Sequence, residues 1–566
     1  MIIINIKERK ADVNKVNELS NKYNISKDII AFLLGRNIPE DIIPLLVSKE
    51  ELPLLPNDTL SNVKEAAELI NKYLVNNNAN IYIFGDYDSD GVNATYIMYT
   101  ALSELAEALE SGVNIKYYLP NRDEGYGLNM DWCESIDKDS TLVITVDNGI
   151  SKVEEVEYLK ANNVEVLITD HHKPQAVIPD CLIVDAHLND TEDINSCGLC
   201  GAAVAYKVIA YLYQDIYEYD YLYVKKYIAH VGIATITDVM PFTKENAIFV
   251  SNTLKYLNDY PYENEEYSPV TESIYYYAEA NKKSNLKAKD IAFGFGPQIN
   301  SCGRMGDIQT AMDFMLATDE DELVDLFRKM DNYNEERKEK TKIAALGTRP
   351  PEPTDLALIF KSKDVEGIAG SIASNLCEKF CIPVIVFNES KGILTGSARC
   401  PECYNIQWIL NNTEHVLTFG GHASAAGLTI KVEDYDAFKE SFNKAVSKAP
   451  VITSLDNTVY VDKIITSSDL NKYFITQYDN ILFFNEFTRP VYALENIQIT
   501  GYHTSKNNPN NICFHVKTKN KEVKLWCWGF TETYMVLGEP KLVNMIGQLE
   551  IFNGMFVINM IDIEAV

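Results

Sequence analysis

Four short apolar runs punctuate the first third of the chain: IYIFG (81–85), TLVITV (141–146), VEVLIT (164–169) and CLIV (181–184). Each is rich in β-branched residues and nearly continuous in its apolar character, the pattern of a strand buried on both faces. Segments with helical spacing lie between the first three runs. Another, 61–79 (SNVKEAAELINKYLVNNNA), precedes them. Apolar strands alternating with helices predict an α/β fold with a parallel sheet covered on both sides. Residues 1–60 read as short helices and turns.

Farther along, Thr318-x-x-Asp321 predicts the cap of a helix running to about Leu346, with Leu323, Leu326, Phe327 and Met330 on its early apolar face. Such a helix is roughly 40 Å long. The Pro-rich stretch GTRPPEPTD (347–355) marks a boundary. A second, smaller α/β region follows, and the strand-rich C-terminal part, with Gly and Asn turns, predicts a small β-barrel. There, NICFHVKTKNKEVKLWCWGF (511–530) reads as a hairpin around Asn520. Ile512, Phe514 and Val516 face inward with Val523, Leu525 and Cys527. Lys517, Lys524, Trp526 and Trp528 are left for the outer face, a surface on which bases stack and phosphates are held. The predicted organisation is an N-terminal helical segment (1–60), a parallel-sheet domain (61–310), a connecting helix and linker (311–350), a smaller α/β domain (351–450) and the barrel (451–566).

A chain of 566 residues exceeds one ordinary core, and 46% hydrophobic with 23% charged content is that of a globular protein. No apolar run reaches the roughly 18 residues of a membrane span, so no membrane partner is expected. The N-terminus, MIIINIKERK, turns charged too soon for a secretory signal. Eleven scattered cysteines predict reduced thiols and a cytoplasmic location. The net charge of −30 opposes wholesale attraction to nucleic acid. It is unevenly spread. Residues 451–566 hold 9 Lys and Arg against 12 Asp and Glu, a net of −3, which leaves −27 for the preceding 450. Contact with DNA must therefore use local basic patches, and the dense acid elsewhere fits metal ligation.

Each apolar run leads into an acid: Asp86, Asp147, Asp170 and Asp185. In a parallel sheet these ends share the ligand-binding edge. Helix capping explains any one of them, but explains the set poorly. In GDYDSDG (85–91), Asp86, Asp88 and Asp90 alternate in a turn and offer oxygens to a common cation. A calcium loop would need Glu at its twelfth position, where this chain has Ile97. VDNG (146–149) adds Asp147. In TDHHKP (169–174) adjacent histidines cannot point the same way, so His171 ligates, His172 faces substrate and Asp170 orients an imidazole. ATITDVMP (234–241) adds Asp238. This mixed oxygen and nitrogen set suits Mn²⁺ or Mg²⁺ better than structural zinc. The two CxxC pairs, Cys197/Cys200 and Cys400/Cys403, lie inside other motifs. Two divalent ions about 3.5–4 Å apart suit in-line attack on a phosphodiester. Asp147 is expected to bridge them, with Asp88, assisted by Asp86, on one and Asp90, His171 and Asp238 on the other. For phosphate, TFGGHASAAG (418–427) offers a backbone nest at Gly420 and Gly421 with His422 as donor. GSARC (396–400) offers Ser397 and Arg399, and PQINSCGRMG (297–306) offers Arg304.

In that order, GDYDSDG, VDNG, TDHH and ITDVMP resemble the four motifs of the DHH phosphoesterase superfamily. GSAR and GGHxxAAG resemble its DHH-associated domain. Within the superfamily the chain is similar to the RecJ single-strand exonucleases, from about residue 25 to 450. That likeness includes LLGRNI (33–38), PQINSCGRM and NYNEERKEKT (332–341). The resemblance implies two domains across a cleft joined by a long helix, with a C-terminal OB-like barrel. It implies 5′-to-3′ removal of nucleotides from single-stranded DNA with Mn²⁺ or Mg²⁺, in repair, recombination or replication. Single-strand-binding protein or other repair and replication proteins are the partners it brings to mind. There are departures. Asp185-Ala186-His187 replaces the usual Asn-Pro, Ala234 a Gly, Gln298 a frequent Arg and Asn375 another Arg. EGIAGSIASNL (366–376) also lacks the His that commonly precedes its glycine. Two other readings are open: a phosphodiesterase of cyclic dinucleotides or short oligonucleotides, and a noncatalytic replication scaffold. The complete ligand set speaks against the scaffold.

Overall fold

The computed structural model describes residues 5–188, 198–259, 270–280, 285–352, 355–362, 365, 367–390, 392–450, 458–519 and 521–566. Cys197 and Asn520 lie outside them. The chain forms two units, Pro53–Leu455 and a second made of Met1–Leu52 with Asp456–Val566. The first strand, β1 (Asn5–Glu8), belongs to the second unit.

The larger unit opens with a wholly parallel sheet of β2 (Asn80–Phe84), β3 (Asn114–Tyr118), β4 (Thr141–Val146), β5 (Glu165–Asp170) and β6 (Leu182–Asp185), in the order β3-β2-β4-β5-β6. Every residue of β4 is buried, which is why its sequence is apolar without alternation. The edge strand β3 (NIKYY) is half exposed and polar, so no apolar run announces it. The chain leaves β2 for β3 on one side and returns to β4 on the other. That reversal opens a crevice at the carboxyl ends of β2 and β4, the place where such sheets bind ligands. Helices Ser89–Ala108, Gly201–Tyr211 and Ile228–Thr237 pack together behind it. The last contains ATIT, whose β-branched residues are helical because nearly the whole helix is buried, so packing overrides propensity.

Helix Glu320–Gly347 leads to the second sheet. Its cap is Asp319, which accepts the Glu322 N–H at 3.1 Å, and not Thr318. β7 (Leu358–Lys361), β8 (Val384–Ser390), β9 (Ile393–Arg399), β10 (Thr418–Gly421) and β11 (Ala425–Lys431) follow in the order β10-β11-β9-β8-β7. Only β7 and β8 are parallel. Ile385, Phe387 and Leu394 pack on Phe438 and Phe442 of helix Tyr435–Lys448. Val384 and Val386 pack on Ile372 and Leu376 of helix Ala369–Phe380 across the other face.

In the second unit, β1 pairs in parallel with β12 (Thr458–Val461). β13 (Lys463–Ile465) joins β14 (Val491–Thr504), and β15 (Ile512–Lys517), β16 (Glu522–Cys527), β17 (Leu542–Phe552) and β18 (Met555–Ala565) complete it. The pairings β14–β15, β15–β16, β16–β18, β18–β17 and β17–β14 close a five-stranded barrel. Ile512, Phe514 and Val516 pair with Cys527, Leu525 and Val523 and fill its core. Residues from the two ends of the chain are locked together by Arg36. Its guanidinium grips the buried Asp462 carboxylate with bonds of 2.9 and 2.6 Å and also reaches the Thr488 carbonyl at 2.8 Å. Among the described residues no helix is long and apolar enough to cross a membrane.

Candidate metal centre

The carboxyl ends of β2, β4 and β5 bring the sequence motifs to one point. Asp88 caps helix Ser89–Ala108, its carboxylate accepting the N–H groups of Asp90 at 2.9 Å and Gly91 at 3.1 Å. Asp90 accepts from Gly201 and Ala202 at 2.7 and 2.8 Å, at the positive N-terminal end of helix Gly201–Tyr211. Asp147 has a left-handed φ of 61°, sustained by Asn148, whose amide donates to the carbonyls of Phe84 and Val146 at 3.2 and 2.9 Å. Asp238 ends helix Ile228–Thr237. The next residue, Val239, has a φ of 54°, an outlying conformation for a β-branched residue. Strain of this kind persists where surrounding structure imposes it, and it clusters at functional sites.

Three overlapping groups result: Asp86, Asp88 and Asp147; Asp90, His171 and Asp238; and Asp147, His171 and His172. Within each group the candidate ligand atoms lie within 4.8 Å of one another. His171 Nε2 is 3.0 Å from Asp147 Oδ1, 3.5 Å from Asp90 Oδ2 and 3.7 Å from Asp238 Oδ2. Asp170 is a positioning residue. It accepts His172 Nδ1 at 2.8 Å, the His171 N–H at 2.7 Å, and the Ile150 N–H at 2.9 Å, which holds the loop carrying Asp147. The imidazole it orients is that of His172. Asp185, the fourth strand-end acid, stands apart. It caps its own turn by accepting the His187 N–H at 2.8 Å, with His187 Nδ1 at 3.3 Å, and joins none of the three groups.

Burial, then the Asp88 charge, holds Asp86 well above the ordinary carboxylate range. Burial followed by Asp90, Asp88 and Asp86 does the same to Asp147. Asp90 is raised by burial against the pull of His171. Burial and then Asp90 push Asp238 up to about 8. Burial lowers His171, favouring the neutral imidazole that a metal takes as ligand. For His172 burial works the same way, but the Asp170 hydrogen bond and charge prevail and raise it to about 9. Among the described residues the buried Oδ1 of Asp86 has no hydrogen-bond partner, and that of Asp147 meets the His171 ring nitrogen at 3.0 Å without hydrogen-bond geometry. Buried carboxylates facing a neutral imidazole offer the oxygen and nitrogen donors that a divalent cation takes, and the residues present fit one.

The expected phosphate ligands lie on several other elements. Arg304 lies at the end of helix Gly296–Arg304 and donates to the Gly367 carbonyl at 2.8 Å. Burial, then the nearby guanidiniums Arg122, Arg337 and Arg399, lower it to about 10. Arg399 Nε donates to Ser374 Oγ at 3.1 Å, and Ser397 sits two residues before it on β9. Gln298, in place of the frequent arginine, is buried and donates to Asp331 at 3.2 Å. Asn375 is exposed. The nest expected at Gly420 and Gly421 is replaced by an extended strand. The pair forms part of β10, opposite Gly427 and Ala426, because the sequence AAGLTIK that follows is a strong hairpin partner. β10 is the sheet edge and its residues and His422 are exposed, so backbone N–H groups remain accessible there.

Two residues of this region escaped the sequence reading. Tyr126 Oη lies 3.1 and 3.2 Å from the His172 ring nitrogens and 3.3 Å from the Asp147 carbonyl. Arg122 stacks over the Tyr87 ring at 4.1 Å with its Nε unpartnered among the described residues. The glycines flanking Tyr126 were the signal for it. Cys200 is buried at the start of helix Gly201–Tyr211, and among the described residues neither it nor Cys400 and Cys403 join a potential metal group.

Gly201 is required by close approach. A Cβ there would lie 2.5 Å from Asp147 Cβ and 2.7 Å from Asp147 Oδ1. Gly201→Ala is expected to cost about 1–3 kcal/mol of stability, the usual penalty for overpacking, read by urea unfolding of the metal-free protein.

Known proteins resemble this chain over most of its length. The DHH family N-terminal domain is matched over residues 80–235 and the DHHA1 domain over 356–448. The single-stranded-DNA-specific exonuclease RecJ of Bacillus subtilis is 26% identical, over 96% of this chain and 68% of its own length. A crystal structure of exonuclease RecJ bound to manganese is 28% identical, with a TM-score of 0.59, over 71% of this chain and 98% of that one. The fold extends further. RecJ of Thermus thermophilus in complex with Mn²⁺ superposes with a TM-score of 0.78 over 99% of this chain and 79% of its own, at 22% identity. The chain thus carries, in order, regions that match the DHH N-terminal domain and the DHHA1 domain, and it is similar to RecJ exonucleases over most of its length.

Proposed function

We propose that this protein is a divalent-metal-dependent exonuclease that hydrolyses phosphodiester bonds of single-stranded DNA, with 5′-to-3′ polarity as the further expectation from the motif resemblance. The observation that carries the reading is the convergence of five carboxylates and a neutral histidine from four sequence segments, with the buried Asp86 Oδ1 lacking a hydrogen-bond partner among the described residues. Mn²⁺ or Mg²⁺, two ions by this reading, would supply a nucleophile at neutral pH and charge stabilisation at the phosphorus. Asp86, Asp88 and Asp147 would hold one and Asp90, His171 and Asp238 the other, with Asp147 shared. The relative crystallised with manganese supports that choice of ion.

The protein's own groups bind and orient the strand. Asp170 fixes His172 through Nδ1 and keeps it protonated near neutral pH, so the imidazolium offers positive charge to a phosphate oxygen. Arg304 and Arg399, with Arg122 added, neutralise phosphates in an otherwise acidic molecule, and Ser397 offers a hydroxyl donor. Gly420, Gly421 and His422 present donors at the exposed β10 edge. On the barrel, Trp526 and Trp528 stack with centroids 5.8 Å apart, beside the exposed Lys517 and Lys524. We read this OB-like module as the strand-holding surface.

The test is degradation of a 5′-labelled single strand with Mn²⁺, with a cyclic dinucleotide assayed in parallel. Release of the label as a mononucleotide or very short product, with the cyclic compound intact, is expected, and the converse would transfer the protein to the small-substrate phosphodiesterases. Replacing Trp526 and Trp528 together with Ala is expected to weaken binding of a long strand by about tenfold or more, at roughly 1–3 kcal/mol per stacked base, while cleavage of very short substrates continues. Equal losses at both lengths would dismiss the stacking role.

A further inference from the structure

The outer face of the barrel carries a second set of metal-ligating side chains that the hydrolytic site does not use. In the β14–β15 ladder His503 stands directly opposite Cys513, and Gly501 opposite His515. Cys513 and His515 are two apart on one strand, so all three side chains emerge on the same face. Their ligand atoms lie within 4.8 Å of one another, and His503 Nδ1 is 3.1 Å from His515 Nε2. Zinc–nitrogen bonds of 2.0–2.1 Å in a tetrahedron place two imidazole nitrogens about 3.3 Å apart. The rings are therefore already spaced as two ligands of one ion.

The surroundings fix the tautomer. His515 Nδ1 is 3.1 Å from Glu522 Oε1, and Glu522 Oε2 accepts the Thr500 hydroxyl at 2.6 Å. A proton held on Nδ1 by the carboxylate leaves a lone pair on Nε2, aimed at His503. This carboxylate–imidazole arrangement is the common outer support of a metal-bound histidine. Cys513 is fully buried, His515 half-buried and His503 exposed, so an ion would reach the thiol from the solvent side.

We propose that His503, Cys513 and His515 form a binding site for a borderline transition-metal ion of the Zn²⁺ class, with Glu522 as the positioning residue and a fourth coordination position open. Thiolate with two imidazoles selects Zn²⁺ or Co²⁺ over Mn²⁺ and Mg²⁺, so this site and the carboxylate centre take different ions. Binding releases the Cys513 thiol proton to solvent and changes no oxidation state. The ion clips β14 to β15 across the 505–511 turn and holds His503 against Trp526, whose ring it meets edge-on at 5.4 Å. It thereby sets the shape of the proposed stacking surface.

Co²⁺ titration of the full, metal-stripped, reduced chain tests this without recourse to activity. One equivalent should give the near-ultraviolet thiolate-to-cobalt charge-transfer band with tetrahedral visible bands. Zn²⁺ should abolish these bands, and excess Mg²⁺ should leave them. The carboxylate centre has no thiolate and cannot produce the charge-transfer band. Cys513→Ser should remove that band. Because Cys513 is buried, the exposed His503→Ala provides a variant that leaves the core intact, and it should weaken Co²⁺ binding by about tenfold or more. Glu522→Gln should weaken it by roughly 10–100-fold. Absence of the band in the wild-type chain, its persistence in Cys513→Ser, or unchanged affinity in His503→Ala would overturn the site and leave only a histidine–histidine hydrogen bond.

Discussion

Asp147→Asn is expected to reduce hydrolysis of a labelled single strand by on the order of 10³-fold or more while making the metal-free protein more stable. A divalent ion supplies several kcal/mol of transition-state charge stabilisation, and each 1.36 kcal/mol is tenfold in rate. Asp147 belongs to two of the three ligand groups, so its loss disturbs the whole centre. Asn tolerates the left-handed backbone at this position, so the fold is retained. Without metal the wild-type carboxylate is buried among Asp86, Asp88, Asp90 and Asp238, all of which oppose its ionisation. Removing that charge should stabilise the metal-free chain by roughly 1–2 kcal/mol, the familiar exchange of stability for activity. Hydrolysis assays and urea unfolding in chelator at pH 8 check both halves. Wild-type turnover in this variant would refute the ligand set assigned here, and lowered stability would show that the acids do not repel.

The second large effect couples metal to pH. Asp86, Asp90, Asp147 and Asp238 all have raised values in the folded chain. A raised acid contributes stability that is complete below its unfolded value, near 4, and is lost as pH rises through the folded value. For Asp238 that is about 8. The metal-free protein is therefore expected to lose stability from this centre between pH 4 and pH 8. Acids with lowered values act at the other end. Glu40, held at about 2 by hydrogen bonds from Lys15 and Lys22, contributes stability lost only as pH falls below 4. Divalent ions bind the deprotonated carboxylates, so stabilisation by Mn²⁺ must grow with pH. At a hundred times its dissociation constant an ion adds about 2.7 kcal/mol per site. Thermal unfolding with and without Mn²⁺ at pH 5.5 and pH 8 measures this. A stabilisation equal at the two values, or larger at pH 5.5, would contradict the linkage.

Much of this was legible before any coordinates. Runs buried on both faces must be apolar throughout, and TLVITV coincides with β4. Asp86 and Asp147 stand where strands end, and strand ends are where ligands bind. What stayed hidden was tertiary. β3 is an edge strand whose polar residues carry no signal. ATIT has strand-like composition and folds as helix because it is enclosed. Tyr126 and Arg122 approach the centre from a loop whose path no periodicity describes. Gly420 and Gly421 were read as a nest from two residues, but the strand after them decides their pairing. His503, Cys513 and His515 meet only through strand register, shifted by a bulge between Ile499 and Gly501.

The grip of Arg36 on Asp462 spans 426 positions. At a synthesis rate of roughly 5–20 residues per second, the interval between the appearance of these two residues is tens of seconds. Throughout it, the first fifty residues leave the ribosome with their counterpart still unmade, and the large intervening unit matures as an insertion within a module that closes last. Trimming the N-terminus would therefore damage the far end of the polypeptide, leaving a buried carboxylate without its cation in a region that a linear map would call untouched.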